Sequence, residues 1–404
     1  MSTQVTTASA PAPVVEPAAA AAAPAPASAA MPTAQVISTM LQFAKGVSDL
    51  IISPGRPPQV ELSGKLVPVP IAGLAKLTAD DTARIAADLL GQNKQAVQTL
   101  KEHGSTDLSY SLPQQGRFRV NIFRQRGTYA AVMRVIPTRI PTFEDLKLPE
   151  QLKKIAELKN GVVLVTGPTG SGKSSTLAAI IDVINSNYAE HIITIEDPIE
   201  FLHPHKKATI HQRELHSDTP SFALALRAAL RQAPKVILVG EMRDKETIEI
   251  ALTAAETGHL VFSTLHTIDA PKTVERIIGV FPMGDQAAIR QRLGASFRYF
   301  ISQRLLPRKD GKGRVAALEI LKSTMRTRDY VERGEQEGRS LLDAMKDGAI
   351  EGMQHFDGEI EKLIRDGVID MKTGLAYASN AGNLRLQLAD LGSAELEQED
   401  LIER

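Results

Sequence analysis

The chain has 404 residues, with 47 Lys and Arg balanced by 47 Asp and Glu, and it contains neither Cys nor Trp. This length allows two or three domains with substantial cores, and the charge balance gives no global field favouring nucleic acid or an anionic membrane. The absence of Cys excludes disulfides and a tetracysteine zinc module. Because no apolar run approaches the roughly 18 residues that cross a bilayer, we expect a soluble, cytoplasmic protein.

Residues 1–33 are predicted to form a disordered arm. The segment is rich in Ala and Pro, has few branched apolar residues to bury, and precedes the first basic residue, Lys45. It therefore lacks the positive charge of a secretory or transit signal. We interpret it as a solvated extension of the folded chain.

Residues 34–137 are predicted to form a small α+β domain. Apolar periodicity and turn signals indicate a helix, a hairpin, two more helices and three further strands. The helices are expected to end near residues 45, 90 and 102, and the strands to lie at 49–52, 59–62, 65–68, 108–111, 117–124 and 130–136. Strands and helices do not alternate regularly, which favours an α+β arrangement. A Pro-bearing linker is expected at residues 138–149.

Residues 150–390 are predicted to form an α/β domain, because strands and helices alternate there. Such alternation predicts a parallel sheet covered by helices on both faces. The predicted strands are 162–166, 191–196, 236–239 and 260–265, and the predicted helices are 173–186, 220–232, 245–256 and 270–279. A short strand pair near 302–306 and 314–320 is expected within a mainly helical carboxy-terminal region. Residues 391–404 are predicted to form an acidic tail.

A complete phosphate-loop pattern, G-x-x-x-x-G-K-[ST], lies between a predicted strand and a predicted helix. Its glycines let backbone N–H groups converge on phosphates, its lysine supplies a cation, and its serine hydroxyl completes a Mg²⁺ shell. The predicted nucleotide-binding residues are Gly167, Pro168, Thr169, Gly170, Ser171, Gly172, Lys173, Ser174 and Ser175. We therefore expect a bound nucleoside triphosphate, the alternative being a tight turn that serves packing alone.

Two other predicted strands of this domain end in carboxylates. Glu196, Asp197 and Glu200 lie at the carboxyl end of one strand, and Glu241 follows another. Ligands of open α/β sheets bind at the carboxyl ends of the strands, and phosphate-loop enzymes place an acidic residue near Mg²⁺ at such an end. Glu241 is thus a candidate on the metal side. The alternatives are a solvated loop for the first group and a helix cap for Glu241.

Two histidines flank the predicted strand 260–265. His259 and His266 are seven residues apart, which puts them on opposite faces of a regular strand and disfavours a shared metal site. A hydrogen bond from His266 to a γ-phosphate is one possibility, and a packing role is the other.

The last strands of the first predicted domain carry an arginine cluster, formed by Arg117, Arg119, Arg124, Arg126 and Arg134. A positive face suits a phosphate in a cleft between domains. The alternative is a solvated surface. Since the chain is neutral overall, we do not expect nucleic acid as a partner.

Taken together, these motifs resemble the secretion-ATPase superfamily and, within it, the PilT/PilU family of type IV pilus retraction ATPases. The resemblance extends from about residue 34 to residue 390. The matching segments are Ser48–Leu50, Arg117–Asn121, Gly161–Thr176, Ile195–Lys207, Gly240–Asp244, Thr253–His266, Gln303–Pro307 and Gly352–Gln354. It implies a RecA-like ATPase domain preceded by a PAS-like domain.

The resemblance also implies site residues. Lys173 would contact the β- and γ-phosphates, Ser174 would bind Mg²⁺, and Glu200 would activate or position the attacking water. Glu241 would act through Mg²⁺ or its waters, and His266 would contact the γ-phosphate region. The remaining residues implied at the ATP site are His259, in the same histidine-bearing segment, and Arg119 and Arg124 as arginine fingers.

Partners are implied by the resemblance as well. They are five further copies in a homo-hexameric ring, an inner-membrane pilus platform protein and a paralogous retraction ATPase. The ring would lie at the cytoplasmic face of the inner membrane, attached only through partners.

Two segments depart from the PilT pattern. Gln232-Ala233-Pro234 is similar to PilU although the following Lys235 is not, and Thr324–Asp329 differs from the motif that is linked to retraction in PilT. The Ala/Pro arm is additional to the family pattern. The alternatives are therefore a PilU-like accessory ATPase, a pilus-assembly ATPase, a RecA-like nucleic-acid translocase and a nucleotide-binding scaffold without motor activity. The assembly ATPases usually carry a tetracysteine module, which this chain lacks.

Overall fold

The computed structural model describes residues 31–390, which form two β-sheets and the helices that cover them. The predicted acidic tail lies outside the described residues, as does the predicted arm apart from residues 31–33. None of the helices in residues 31–390 is both long and apolar enough to cross a membrane.

The first sheet is antiparallel and six-stranded, and helices from the same part of the chain cover it. Its strands are β1 (Val47–Ile52), β2 (Gln59–Leu62), β3 (Lys65–Pro68), β4 (Ser105–Leu112), β5 (Gly116–Gln125) and β6 (Thr128–Ile136). The helices are α1 (Thr33–Gln42), α2 (Ala79–Leu90) and α3 (Lys94–His103). The strand order is β3-β2-β1-β6-β5-β4. These residues form a small α+β unit, as the sequence predicts.

Local sequence explains why α2 begins where it does. The Thr78 hydroxyl accepts the Asp81 N–H at 3.1 Å, and the Asp81 carboxylate accepts the Thr78 N–H at 2.9 Å. This capping box satisfies two backbone donors that the first helical turn leaves free. Ile85 and Leu89, one turn apart, are then buried against the sheet.

The second sheet has seven strands and forms the larger core. Its strands are β7 (Gly161–Thr166), β8 (His191–Glu196), β9 (Thr209–Glu214), β10 (Val236–Val239), β11 (Leu260–Leu265), β12 (Phe297–Pro307) and β13 (Arg314–Lys322). The order is β13-β12-β7-β11-β10-β8-β9, and every neighbouring pair is parallel except β12 with β13. The sheet is therefore mixed rather than parallel throughout.

Helices cover both faces of this sheet. They are α4 (Phe143–Leu146), α5 (Lys173–Asn187), α6 (Phe222–Ala229), α7 (Lys245–Glu256), α8 (Ala270–Gly279), α9 (Met283–Ser296) and a 3₁₀ helix (Glu150–Glu157). Every residue of β7 is buried, because Val162 and Leu164 face one core while Val163 and Val165 face the other. An apolar strand without polar alternation is what two covered faces require.

The carboxy-terminal region of the described chain is helical, as predicted. Its helices are α10 (Met325–Arg333), α11 (Leu341–Asp347), α12 (Phe356–Arg365), α13 (Met371–Tyr377) and α14 (Ala381–Gln387). Phe356 and Ile360 of α12 pack with Leu306 and Val315 of the strand pair. The Arg304 guanidinium lies 3.8 Å from the centre of the Phe356 ring.

The strand predictions for the larger sheet were incomplete in two places. No strand was predicted at β9, whose sequence Thr-Ile-His-Gln-Arg-Glu is mostly polar because the strand lies at the sheet edge. The pair predicted near 302–306 and 314–320 is longer and joins the main sheet, since β12 runs parallel to β7.

Candidate nucleotide-binding site

A cleft of about 690 Å³ opens at the carboxyl ends of β7, β8, β10 and β11. Its floor is the turn between β7 and α5, and its walls include the residues that follow β8, β10 and β11. The predicted phosphate-loop residues that line it are Thr169, Gly170, Gly172, Lys173, Ser174 and Ser175. The strand ends of an α/β sheet thus bring the separate sequence motifs to one place.

Close packing and backbone conformation explain why two positions of this turn are glycine. A side chain at Gly167 would place its Cβ 2.6 Å from Ser171 Oγ, and one at Gly172 would place it 2.8 Å from Gln303 Nε2. Both residues have positive φ, +145° and +90°, which L-residues with a side chain rarely adopt. Gly167, Pro168 and Ser171 do not line the cleft, whereas the other predicted residues of the loop do.

Lys173 lies at the bottom of the cleft and is 8% exposed. Its ammonium donates to the carbonyls of Gly167 at 2.8 Å and Pro168 at 3.1 Å. Burial lowers the pKa of this ammonium, and the negative charge of Glu241 acts in the opposite direction. Removing an ammonium from water weakens its hydration, so its interaction with a phosphate oxygen gains strength.

His266 joins Lys173 to Glu241. Its Nδ1 lies 3.5 Å from the Lys173 ammonium, and its Nε2 lies 3.5 Å from a carboxylate oxygen of Glu241. The same carboxylate oxygen accepts from the Arg243 guanidinium at 2.6 Å. The protein thus aligns a cation, an imidazole and a carboxylate along one wall, where each can face a phosphate or its counter-ion.

The carboxylates at the carboxyl end of β8 divide into two kinds. Glu196 accepts from the Thr194 hydroxyl at 2.6 Å and the Gln212 amide at 3.2 Å, and burial raises its pKa. Its other oxygen accepts the Glu200 N–H at 3.3 Å. Asp197 and Glu200 are exposed and line the cleft. Glu196 therefore holds the loop, while Asp197 and Glu200 are free to meet a ligand.

Three predicted site residues outside the phosphate loop are not brought to this cleft. His259 precedes β11 and lies at the opposite end of the strand from His266, with its Nδ1 2.9 Å from the Ala254 carbonyl oxygen. Arg119 and Arg124 are exposed on β5 and do not line the cleft. Within one chain they form no part of the site.

Other arginines do reach the cleft. Arg134 on β6 lines it and pairs with Asp49 at 3.0 Å, and Arg243 and Arg314 line it as well. The sequence analysis includes Arg134 in the arginine cluster but gives no reason to assign it, rather than another arginine, to the nucleotide site. Arg134 and Arg119 lie directly opposite each other in the β5–β6 pair and therefore share a face of the sheet, but only Arg134, on β6, lines the cleft.

Oxygen donors suited to a hard cation are present, but they are few. Ser174 and Glu241 both line the cleft. Within residues 31–390, no group of three or more His, Cys, Asp or Glu side chains is arranged to hold a metal ion. Mg²⁺ commonly binds through one or two protein oxygens together with substrate phosphates and water. The donor set fits that mode and does not fit a metal cage made by protein alone.

Several known proteins are similar to this chain. A twitching motility protein of Neisseria gonorrhoeae is 46% identical over 77% of this chain and 82% of its own length. The type IV pilus retraction ATPase PilT of Pseudomonas aeruginosa is 44% identical over 82% of this chain and 95% of its own. A solved structure of the pilus retraction motor PilT with bound ADP is 41% identical, with a TM-score of 0.76, and the match covers 86% of this chain and 97% of that one.

The fold and the cleft define an ATPase of the phosphate-loop class, with a RecA-like domain preceded by a PAS-like domain. The family model described as "Type II/IV secretion system protein" matches residues 94–369. The chain belongs to this secretion ATPase family and, within it, to the PilT/PilU type IV pilus retraction ATPases.

Proposed function

We propose that this chain hydrolyses ATP in the cleft and works as a PilT-like motor that powers pilus retraction and twitching motility. The observation that carries the proposal is the convergence of Lys173, His266 and Glu241 on one wall, with the exposed Glu200 lining the same cleft. Phosphoryl transfer needs positioning and charge stabilisation more than covalent chemistry, and these residues supply both.

Each residue has a distinct part in the proposed reaction. Lys173 neutralises charge on the β- and γ-phosphates, and His266 hydrogen-bonds near the γ-phosphate. Glu200 orients water and accepts its proton. Bound Mg²⁺ would neutralise charge shared by the β- and γ-phosphates, with Ser174 and Glu241 as the protein groups that hold it or its waters. The backbone N–H groups of the phosphate loop and of the first turn of α5 add further donors.

We also propose an assembly and a domain division. The first domain comprises residues 34–137, the linker residues 138–149 and the ATPase domain residues 150–390. Six copies would form a ring in which the exposed Arg119 and Arg124 of one copy reach a neighbouring site, because neither reaches the cleft of its own chain. The partners would be an inner-membrane pilus platform protein and a paralogous retraction ATPase, with the ring at the cytoplasmic face.

A PilU-like accessory role is the second candidate, favoured by Gln232-Ala233-Pro234 in the loop before β10. Deleting the gene in its host and counting surface pili separates the roles. A retraction motor predicts excess pili and lost twitching, restored by the wild-type gene but not by the gene carrying Lys173→Ala. A host that retains retraction would favour the accessory role, and a host without pili would contradict both.

A further inference from the structure

An ion pair joins the first sheet to the ATPase domain. Arg117 on β5 places its Nη2 3.0 Å from Oε2 of Glu214, the last residue of β9. The two side chains are only 20% and 4% exposed. The guanidinium is anchored on its own side, because its Nη1 donates to the Ser111 hydroxyl at 3.1 Å. The pair therefore connects two parts of the chain in a place that water barely reaches.

The carboxylate of this pair also holds the loop that carries Glu200. Glu214 Oε2 accepts the Ile199 N–H at 3.0 Å, so one oxygen serves both the guanidinium and the loop. Glu196, opposite Glu214 in the β8–β9 ladder, accepts the next amide, that of Glu200. Carboxylates at the ends of two adjacent strands thus fix successive amides of the loop.

We propose that Glu214 is a positioning residue that couples the placement of the first domain to the placement of Glu200. The inference rests on the proposed ATP hydrolysis. When Arg117 contacts Glu214, the guanidinium balances the negative charge of the carboxylate and holds its Oε2 in position to accept the Ile199 N–H. When the first domain moves away, a buried carboxylate loses its partner and must reorganise, since an unpaired buried charge is costly.

A small displacement is enough to matter. The rate of a reaction that depends on a positioned base falls steeply when the base is displaced, and a shift of about 1 Å can lower it by about 100-fold. Glu214 itself does not line the cleft, so it acts on Glu200 only through the backbone at Ile199. Loss of the pair is therefore expected to lower kcat and to leave the KM for ATP unchanged.

A double-mutant cycle in the full-length protein tests this coupling. The variants are Arg117→Met, Glu214→Gln and both together, with Arg117→Lys as the conservative change. Arg139→Met is the matched control, because it removes an exposed arginine–carboxylate pair with Asp145. We expect each single change to lower kcat by about 10-fold or more at constant KM, with the double variant no worse than either. Arg117→Lys should recover part of the loss, and the control should match wild type.

Hydrogen exchange at residues 197–201 supplies a second readout that does not depend on turnover. Arg117→Met should speed exchange of the Ile199 amide, and Arg139→Met should leave it unchanged. Wild-type kcat in both single variants, or unchanged exchange, would overturn the coupling. The coupling would also be overturned if the fold-reductions in kcat of the two single variants multiplied in the double variant. A wild-type protein without ATPase activity contradicts the proposed function instead, and the exchange experiment then still decides whether the pair holds the loop.

Discussion

Three carboxylates lie at the carboxyl end of β8, and their surroundings give them different roles. Glu196 is held by Thr194 and Gln212 and its pKa is raised by burial, whereas Glu200 is exposed in the cleft. A base that takes a proton from water must be ionised and accessible. Glu200 is accessible from the cleft, and Glu196 is committed to holding the loop backbone.

Glu200→Gln is therefore expected to lower ATP turnover by about 100-fold or more while nucleotide affinity stays near wild type, because the amide keeps the shape and cannot accept the proton. Parallel measurements of kcat and ATP binding check this. Glu275→Gln, an exposed carboxylate of α8, is the control and should turn over ATP normally. Unchanged turnover in Glu200→Gln would move the base to another carboxylate of the cleft.

At the scale of elements, a buried carboxyl holds the start of α8, the helix that follows His266. Glu319 on β13 is 4% exposed, and its Oε1 accepts the Ala270 N–H at 2.7 Å. Burial raises its pKa to about 7, partly offset by the Ala270 amide. Because this pKa exceeds that of the unfolded chain, the folded state binds more protons between about pH 4.5 and pH 7.

The stability from this group is fully present below about pH 4.5 and is lost as the pH rises through about 7. The raised pKa corresponds to a loss of about 3 kcal/mol in the free energy of unfolding across that pH range. Glu319→Gln keeps the acceptor for Ala270 but cannot ionise. The difference in the free energy of unfolding between this variant and wild type should therefore favour the variant more at pH 8 than at pH 5. Chemical denaturation at both pH values measures the difference. An equal effect of the substitution at both would contradict the assignment.

The structure also indicates which elements a sequence can predict. β8, β10, β11, α7 and α8 match their predicted bounds to the residue. The three strands are buried runs, and Asp244 and Asp269 cap the two helices. β9 gives no such signal, because an edge strand with polar residues lacks the apolar alternation on which such predictions depend.

At the scale of the whole molecule, local sequence patterns do not predict contacts between residues that are far apart in the chain. The phosphate loop was predicted from its own residue pattern and Glu241 from its place at the end of an apolar strand, whereas the role of His266 was implied by the family resemblance. The contact between Arg117 and Glu214 joins residues 97 positions apart, and nothing in either local sequence indicates it. Likewise, no local signal distinguishes Arg134, which lines the cleft, from Arg119, which lies opposite it in the β5–β6 pair and does not line the cleft.

Steady-state hydrolysis of Mg-ATP by the purified full-length protein tests the central claim most directly. Wild type should turn over ATP, and Lys173→Ala should lose at least about 100-fold, because the phosphates lose the cation at the bottom of the cleft. Lys272→Ala, an exposed lysine of α8, should behave as wild type. A Lys173→Ala protein that folds normally and hydrolyses ATP at the wild-type rate would contradict the account.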